Sequence, residues 1–259
     1  MTFCKARPLG RIPGIFLALL MLFAWTGLVA AQDAPKPITT SWIVTVKPGQ
    51  AQAFEAAVKT HLAWRKQAGD PMHWRTYTPV AGDRLDYYVF RSEGHEWADF
   101  DAEAAWELKA NAGQQWEKQP GQYASGYSHH YHELDAEHSN WQDSDSYRYF
   151  RVTTLALQPG AGKDFYDALK VIKAAAVAGE WPRGWGMENT VGGSGDPIVV
   201  WPYASFAEMT PIEPGFESVL AKHLGSEEEA AAVFARLNGA IASSDTTIYV
   251  HRPDLSTQE

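Results

Sequence analysis

Cysteine is almost absent from this chain: Cys4 is the only one in 259 residues. That excludes a disulfide framework and every cysteine-based zinc module, so stability has to come from packing. Base is also short, with 22 Lys and Arg against 31 Asp and Glu and a net charge of −9. Such a balance argues against nucleic acid and against anionic membrane surfaces as partners. No HExxH occurs, Gly162-Lys163 is followed by Asp164 rather than a phosphate-loop Ser or Thr, and Gly193-Ser194-Gly195 reads as a turn. No nucleophile–base pair emerges from spacing. The apolar run Ile15–Trp25 is shorter than the ~20 residues that span a bilayer.

What the N-terminus does have is the layout of a secretory signal over residues 1–31. Lys5, Arg7 and Arg11 precede the apolar run, and Val29-Ala30-Ala31 puts small residues before Gln32. Cleavage there would remove three of the 22 bases and no acid, leaving a charge of −12 and no cysteine. The expected location is periplasmic or secreted, with no membrane attachment after cleavage.

The rest of the chain is written twice. Trp42-Ile43-Val44-Thr45-Val46-Lys47-Pro48-Gly49 is answered by Thr153-Thr154-Leu155-Ala156-Leu157-Gln158-Pro159-Gly160, with Pro48 and Pro159 111 positions apart. Phe54 and Phe165, Pro71 and Pro182, and Trp74 and Trp185 keep the same spacing. A register that survives over whole elements marks a duplicated unit. Each copy alternates strand and helix signals in the order βαββαβ. The first helix of copy one carries Phe54, Val58 and Leu62 on one face. The second is expected over 97–119, with Trp97, Phe100, Ala104 and Leu108 on its buried side. The boundaries expected are 32–134 for the first unit, an acidic linker over 135–146, and 147–259 for the second. A βαββαβ unit makes a four-stranded antiparallel sheet with helices on one face only. The strands nonetheless carry aromatics on both parities, so the open face needs cover. The expected fold is therefore α+β, two tandem ferredoxin-like units whose sheets pack face to face as an intramolecular α/β barrel.

Those residues, together with Ser92 and the Trp97-Ala98-Asp99-Phe100 passage, make the chain similar to the dimeric α/β-barrel superfamily in a tandem form. That group includes antibiotic-biosynthesis monooxygenases and NIPSNAP-type proteins. The resemblance implies a cavity between sheet and helices, and either a monomer with a pseudo-dimeric barrel or a homodimer. Haem-degrading members use an Asn on the first strand, a Trp on the third and a His in the second helix. Here the first strands hold no Asn, the third strands offer Tyr87 and Tyr88 or Trp201, and the stretch 97–119 has no His. No cofactor is expected.

His61 is the most informative single residue, because it answers Ile172 in an otherwise apolar stripe. A buried polar group without a partner costs roughly 1–3 kcal/mol. It therefore either bonds to a strand or lines a pocket, with His73, Trp74, Tyr87, Tyr88 and Trp185 as further pocket candidates. Trp74 and Trp185 serve equally as core packing. His130 and His132 share one face of the fourth strand and are candidate ligands for Zn²⁺ or Cu²⁺. Three readings follow: a non-catalytic binding or accessory protein for a small organic ligand, a cofactor-independent monooxygenase or isomerase acting on a small flat substrate, and a periplasmic metal-binding protein.

Overall fold

A computed structural model describes residues 37–144 and 146–257; the signal-like stretch lies outside the described residues. Among the described residues eight strands and six α-helices follow one another. The first half contains β1 (Ile38–Val46), α1 (Ala51–Gln67), β2 (Arg75–Ala81), β3 (Tyr87–His95), α2 (Trp97–Ala110), α3 (Ala112–Lys118) and β4 (Ala124–Leu134). The second contains β5 (Tyr149–Leu157), α4 (Gly162–Ala178), β6 (Gly186–Gly192), β7 (Pro197–Tyr203), α5 (Phe216–Leu224), α6 (Glu227–Gly239) and β8 (Ile241–His251).

The strands close into one antiparallel barrel in the order β1-β3-β2-β8-β5-β7-β6-β4. Within each half the order is fourth, first, third, second. The halves meet at two seams, β2 with β8 and β4 with β6. The helix-free faces do look at each other, as the aromatic strands required. They do so across the inside of one continuous sheet and not as two stacked sheets, because pairing the free edges satisfies backbone groups that stacking would leave exposed. Strand β1 shows the consequence: Ile38, Thr39, Thr40 and Ser41 are all buried, on both faces of the strand.

Inside the barrel the halves touch through Tyr77 and Phe150, whose rings are 5.3 Å apart, and through Tyr87 and Tyr249, whose hydroxyls are 2.7 Å apart. Arg91 of β3 pairs across the interior with Glu188 of β6. Outside it, each half has its own helix-covered core. One centres on Phe54, Val58, Met72, Trp74 and Phe90, the other on Phe165, Ile172, Trp185, Met187 and Leu220. The hairpin tips interlock with the opposite half. Gly82 and Gly193 adopt φ of +145° and +146°, and a side chain there would strike Thr247 and His130, respectively.

Within the expected linker, residues 135–140 are tied to the barrel, while 141–144 are exposed. His138 and Ser139 are buried, Asp135 N donates to Met187 O, and Asn140 bridges Trp185. The chain's end repeats the device on the other half. Arg252 N donates to Thr76 O, Thr257 N to Trp74 O, and Thr76 N to Ser256 Oγ. Even the flanking ion pairs match, Lys170 with Glu137 at 2.8 Å and Lys59 with Asp254 at 3.0 Å. Each half is thus strapped by the segment that leaves the strand at its seam. Polar composition suggests a tether here because the apolar content is low, yet backbone bonds and two buried residues per strap hold it down, His138 and Ser139 in the first, Leu255 and Ser256 in the terminal one. Leu255→Ala should lower unfolding free energy by roughly 3 kcal/mol, read by urea titration, since a cavity is left against Met72 and Trp74.

The expected second helix of the first half is broken. Asn111 takes a left-handed conformation, φ 54°, and separates α2 from α3. None of the α2 residues is buried: Trp97 is 51 % exposed and Leu108 82 %. The apolar spacing marked the wrong face: Trp97, Ala104 and Leu108 are exposed and Phe100 is half-buried, while Glu103 and Trp106 turn toward α1. In the second half α5 and α6 fill the equivalent space with Leu220, Phe216, Phe234 and Leu237. In the first half a cavity remains.

Candidate functional site

The cavity has a volume of about 270 Å³ and lies between the outer face of the first-half sheet and α1, α2 and α3. Strand alternation turns Trp42 and Val44 of β1 and Phe90 of β3 outward into it. Helix α1 supplies Val58, His61, Leu62 and Arg65, spaced at three and four residues so that they share a stripe. Trp74 closes one wall, Trp116 and Tyr127 another, and Glu107 and Glu117 stand at its helix side. The space is a little under the ~300 Å³ of drug-sized sites and suits a molecule of one or two rings.

His61 is 2 % exposed, and neither ring nitrogen has a hydrogen-bond partner. The Gln119 amide oxygen is near enough to favour a charged ring, yet it too is unpartnered. Burial, reinforced by the positive charge of Arg65, lowers the His61 pKa to about 4. The imidazole is therefore neutral at pH 7, with one donor and one acceptor unused. Its ring lies 5.4 Å from Trp116 and 5.3 Å from Trp64.

Arg65 is fixed by the carboxylate of Asp70, which also accepts from Trp74 Nε1 at 3.1 Å. Its guanidinium lies over Trp74 at 5.3 Å and Trp106 at 4.8 Å, while Nη2 has no hydrogen-bond partner. Glu103 approaches that nitrogen at 3.8 Å. Burial and the neighbouring Glu107 raise the Glu103 pKa to about 7. The cavity floor thus joins a neutral imidazole to an unsatisfied guanidinium N–H inside aromatic walls. That set offers a ligand the donor and the acceptor of the imidazole and a donor from the guanidinium.

The other candidates from the sequence go elsewhere. Trp74 is in the cavity wall, but Trp185 is packed in the second core and donates to His138 O at 2.9 Å. His73 is exposed just before β2. Tyr87 faces the barrel interior, and Tyr88 donates to Glu55 at 2.8 Å beneath α1. His130 and His132 point into the barrel with ring centroids 6.1 Å apart. His132 is held neutral, its pKa lowered to about 3 by burial and by Arg91. Among the described residues no group of three or more His, Cys, Asp or Glu is placed to hold a metal. A cation there would have to share the space with Arg91.

Two other features lie outside this cavity. Ser92 Oγ lies 2.7 Å from His95 Nε2, with Asp99 3.8 Å from Nδ1, in the order of an acyl-transfer triad. Ser92 is 1 % exposed and lines no described cavity, so a substrate carbonyl has no route to it. A groove of about 420 Å³ near Trp181 is larger than the His61 cavity, but Ala176 is the only buried residue along it.

Sequence reasoning found His61 and Trp74 but missed Arg65, Trp42, Phe90 and Trp116. Arg65 left a signal, since it answers Ala176 at the same 111 spacing that set His61 against Ile172. The walls left none, because four separate elements bring them together.

Acid should destabilise the protein through these groups. The pKa values of His61 and His132 are lowered below 6.5 on folding, so between pH 6.5 and about 4 the unfolded chain binds protons that the folded chain refuses. Glu103, raised to about 7, works in the opposite direction over pH 7 to 4.5. Two histidines outweigh one carboxyl, and stability should fall by about 1–2 kcal/mol from pH 7 to pH 5. His61→Ile should remove about 2 kcal/mol of that acid loss, read in urea titrations at pH 7 and pH 5.

No family model matches the sequence, and no curated protein matches it. Solved structures do. A protein of Lactobacillus acidophilus NCFM, provisionally named a monooxygenase, aligns with a TM-score of 0.53 at 9 % identity, over 83 % of this chain and 94 % of its own. A second provisionally named monooxygenase, from Fusobacterium nucleatum subsp. nucleatum ATCC 25586, gives 0.52 at 9 % identity over 84 % and 93 %. A mutant chlorite dismutase from Candidatus Nitrospira defluvii gives 0.51 at 10 % identity over 85 % and 94 %. At these identities the likeness is one of fold alone.

Proposed function

We propose that the chain is a tandem pair of ferredoxin-like units in which only the first keeps an open site. In this reading it acts there on a small, flat organic molecule as a cofactor-independent monooxygenase or isomerase. The observation that carries the proposal is His61: a buried imidazole with two idle nitrogens, where the second unit has Ile172. Its desolvation outweighs what the nearby Gln119 amide and Asp70 return, whereas a ligand with an acidic O–H or C–H would make up the difference. Proton transfer to His61 leaves an anion beside Arg65. Reprotonation of that anion at another atom is isomerisation; its reaction with dioxygen, in which one oxygen joins carbon, the O–O bond breaks and the second oxygen leaves as water with two electrons and two hydrogens from the substrate, is oxygenation. The names of the monooxygenase neighbours favour this reading over plain binding, which uses the same cavity and stops before proton transfer. Incubation with 2-naphthol and related hydroxyarenes under air tests it, following oxygen uptake and product mass. Conversion that disappears in His61→Ile supports catalysis. Saturable binding without conversion selects the binding-protein reading.

We also propose export. N-terminal sequencing of protein recovered outside the cytoplasm should begin at Gln32, and a start at Met1 would contradict it.

A further inference from the structure

Helix α2 is the one long helix that is barely attached. None of its fourteen residues is buried, whereas α1, α4, α5 and α6 each bury at least one. Its attachments are few and local. Trp106 Nε1 donates to Ala68 O at 2.8 Å, at the end of α1, and the same ring carries the Arg65 guanidinium. Glu103 faces Arg65 Nη2 at 3.8 Å. At its start Trp97 and Phe100 rest on Tyr131, with centroids 5.3 and 4.9 Å away. At its end the left-handed Asn111 breaks it from α3, whose Trp116 and Glu117 remain in the cavity wall beside Glu107 of α2. A segment with little buried surface, one break and a few end contacts has the low local stability of a moving element.

We propose that α2 is a lid over the His61 cavity, pivoting at Asn111 and latched to the end of α1 by Trp106 and Glu103. The inference rests on the cavity being a binding site, and it adds the route by which a ligand enters and is retained.

The latch carries a pH dependence whose sign follows from linkage. Closed, Glu103 is desolvated and faces Arg65 and, behind it, Asp70 on the α1 side, Glu107 on its own helix and Tyr131 on β4. Its pKa is then about 7 against 4.5 in water. The closed form holds the proton more tightly, so the lid is tighter at pH 6 and looser at pH 8. His61, lowered to about 4, and Tyr131, raised above its usual value, do not titrate in that window.

Hydrogen exchange on the ligand-free full chain tests this, with rates corrected for intrinsic pH dependence. The amides of 97–110 should open at least a hundredfold more readily than those of α4. Their opening constant should rise about tenfold from pH 6 to pH 8. Glu103→Gln should abolish that rise and keep α2 closed at both pH values. Protection of α2 equal to that of α4, or opening indifferent to pH and to Glu103→Gln, would overturn the lid. As a second measurement, Trp106→Phe should speed both entry and release of 2-naphthol severalfold in stopped-flow fluorescence; unchanged rates would count against the latch. Failure of 2-naphthol to bind at all would bear on the cavity reading, and the ligand-free exchange would then decide the lid alone.

Discussion

Arg91→Met should lower the unfolding free energy by about 5 kcal/mol, the largest loss expected of any single substitution in the barrel interior. Arg91 comes from β3 and Glu188 from β6, strands that are not neighbours in the closed sheet, so the pair spans the interior and ties the two halves together. Both side chains are nearly enclosed. Arg91 also holds Glu93 at 2.6 Å, and Glu93 lies 3.6 Å from Arg75. Glu188 Oε2 already lacks a partner, so removing the guanidinium strands a carboxylate with no replacement donor. Breaking one side of a buried pair costs about 3–5 kcal/mol, and two dependent glutamates place Arg91 at the upper end. The pair itself need not stabilise the fold. Arg91→Met combined with Glu188→Met should recover most of the loss, because the double change removes the stranded charge along with its partner. Urea titration of the single and double variants reads this directly. Additive losses in the double variant would mean that the two residues do not interact as the geometry requires.

His61→Ile should produce opposite changes in stability and in binding. The second half shows that the fold accepts the substitution, since Ile172 packs against the equivalent strands in a filled core. Replacing the imidazole removes two unpartnered buried nitrogens, which should raise stability by about 1–3 kcal/mol at pH 7. Ligand affinity should fall about a hundredfold, because Arg65 alone cannot supply both a donor and an acceptor. Stabilisation on removal is the mark of a residue kept for something other than folding. A core histidine satisfied by the protein would give the reverse, a loss of stability from a broken hydrogen bond.

How far the sequence reached can be judged residue by residue. The 111 spacing located both helices that begin each half and the strands around them, because insertions had stayed in loops and left element registers intact. His61 stood out for the same reason, as a polar residue in one copy answered by an apolar one in the other. Arg65 could have been found by carrying that comparison one turn further along α1. The straps were hidden by composition: Asp135 to Asn140 look like solvent-facing residues, and only their backbone pairing with Met187 and Trp185 makes them part of the barrel. The exposure of α2 was hidden for a different reason. Trp97, Phe100 and Leu108 have helical spacing whether or not something lies beneath them, and a cavity leaves no pattern in the residues that surround it. The surroundings of the candidate metal pair were equally illegible, since nothing in His129-His130-Tyr131-His132 announces that Arg91 of another strand will stand beside His132.

The central claim is that the cavity over His61 is a ligand site maintained at the expense of stability. Fluorescence titration of wild type and His61→Ile with 2-naphthol, read through Trp42, Trp74 and Trp116, tests it together with the thermal midpoint of each protein. The expected result is saturable quenching in wild type, binding about a hundredfold weaker in the variant, and a higher midpoint for the variant. Equal affinity in the two proteins, or a variant that binds poorly because it is less stable, would contradict it.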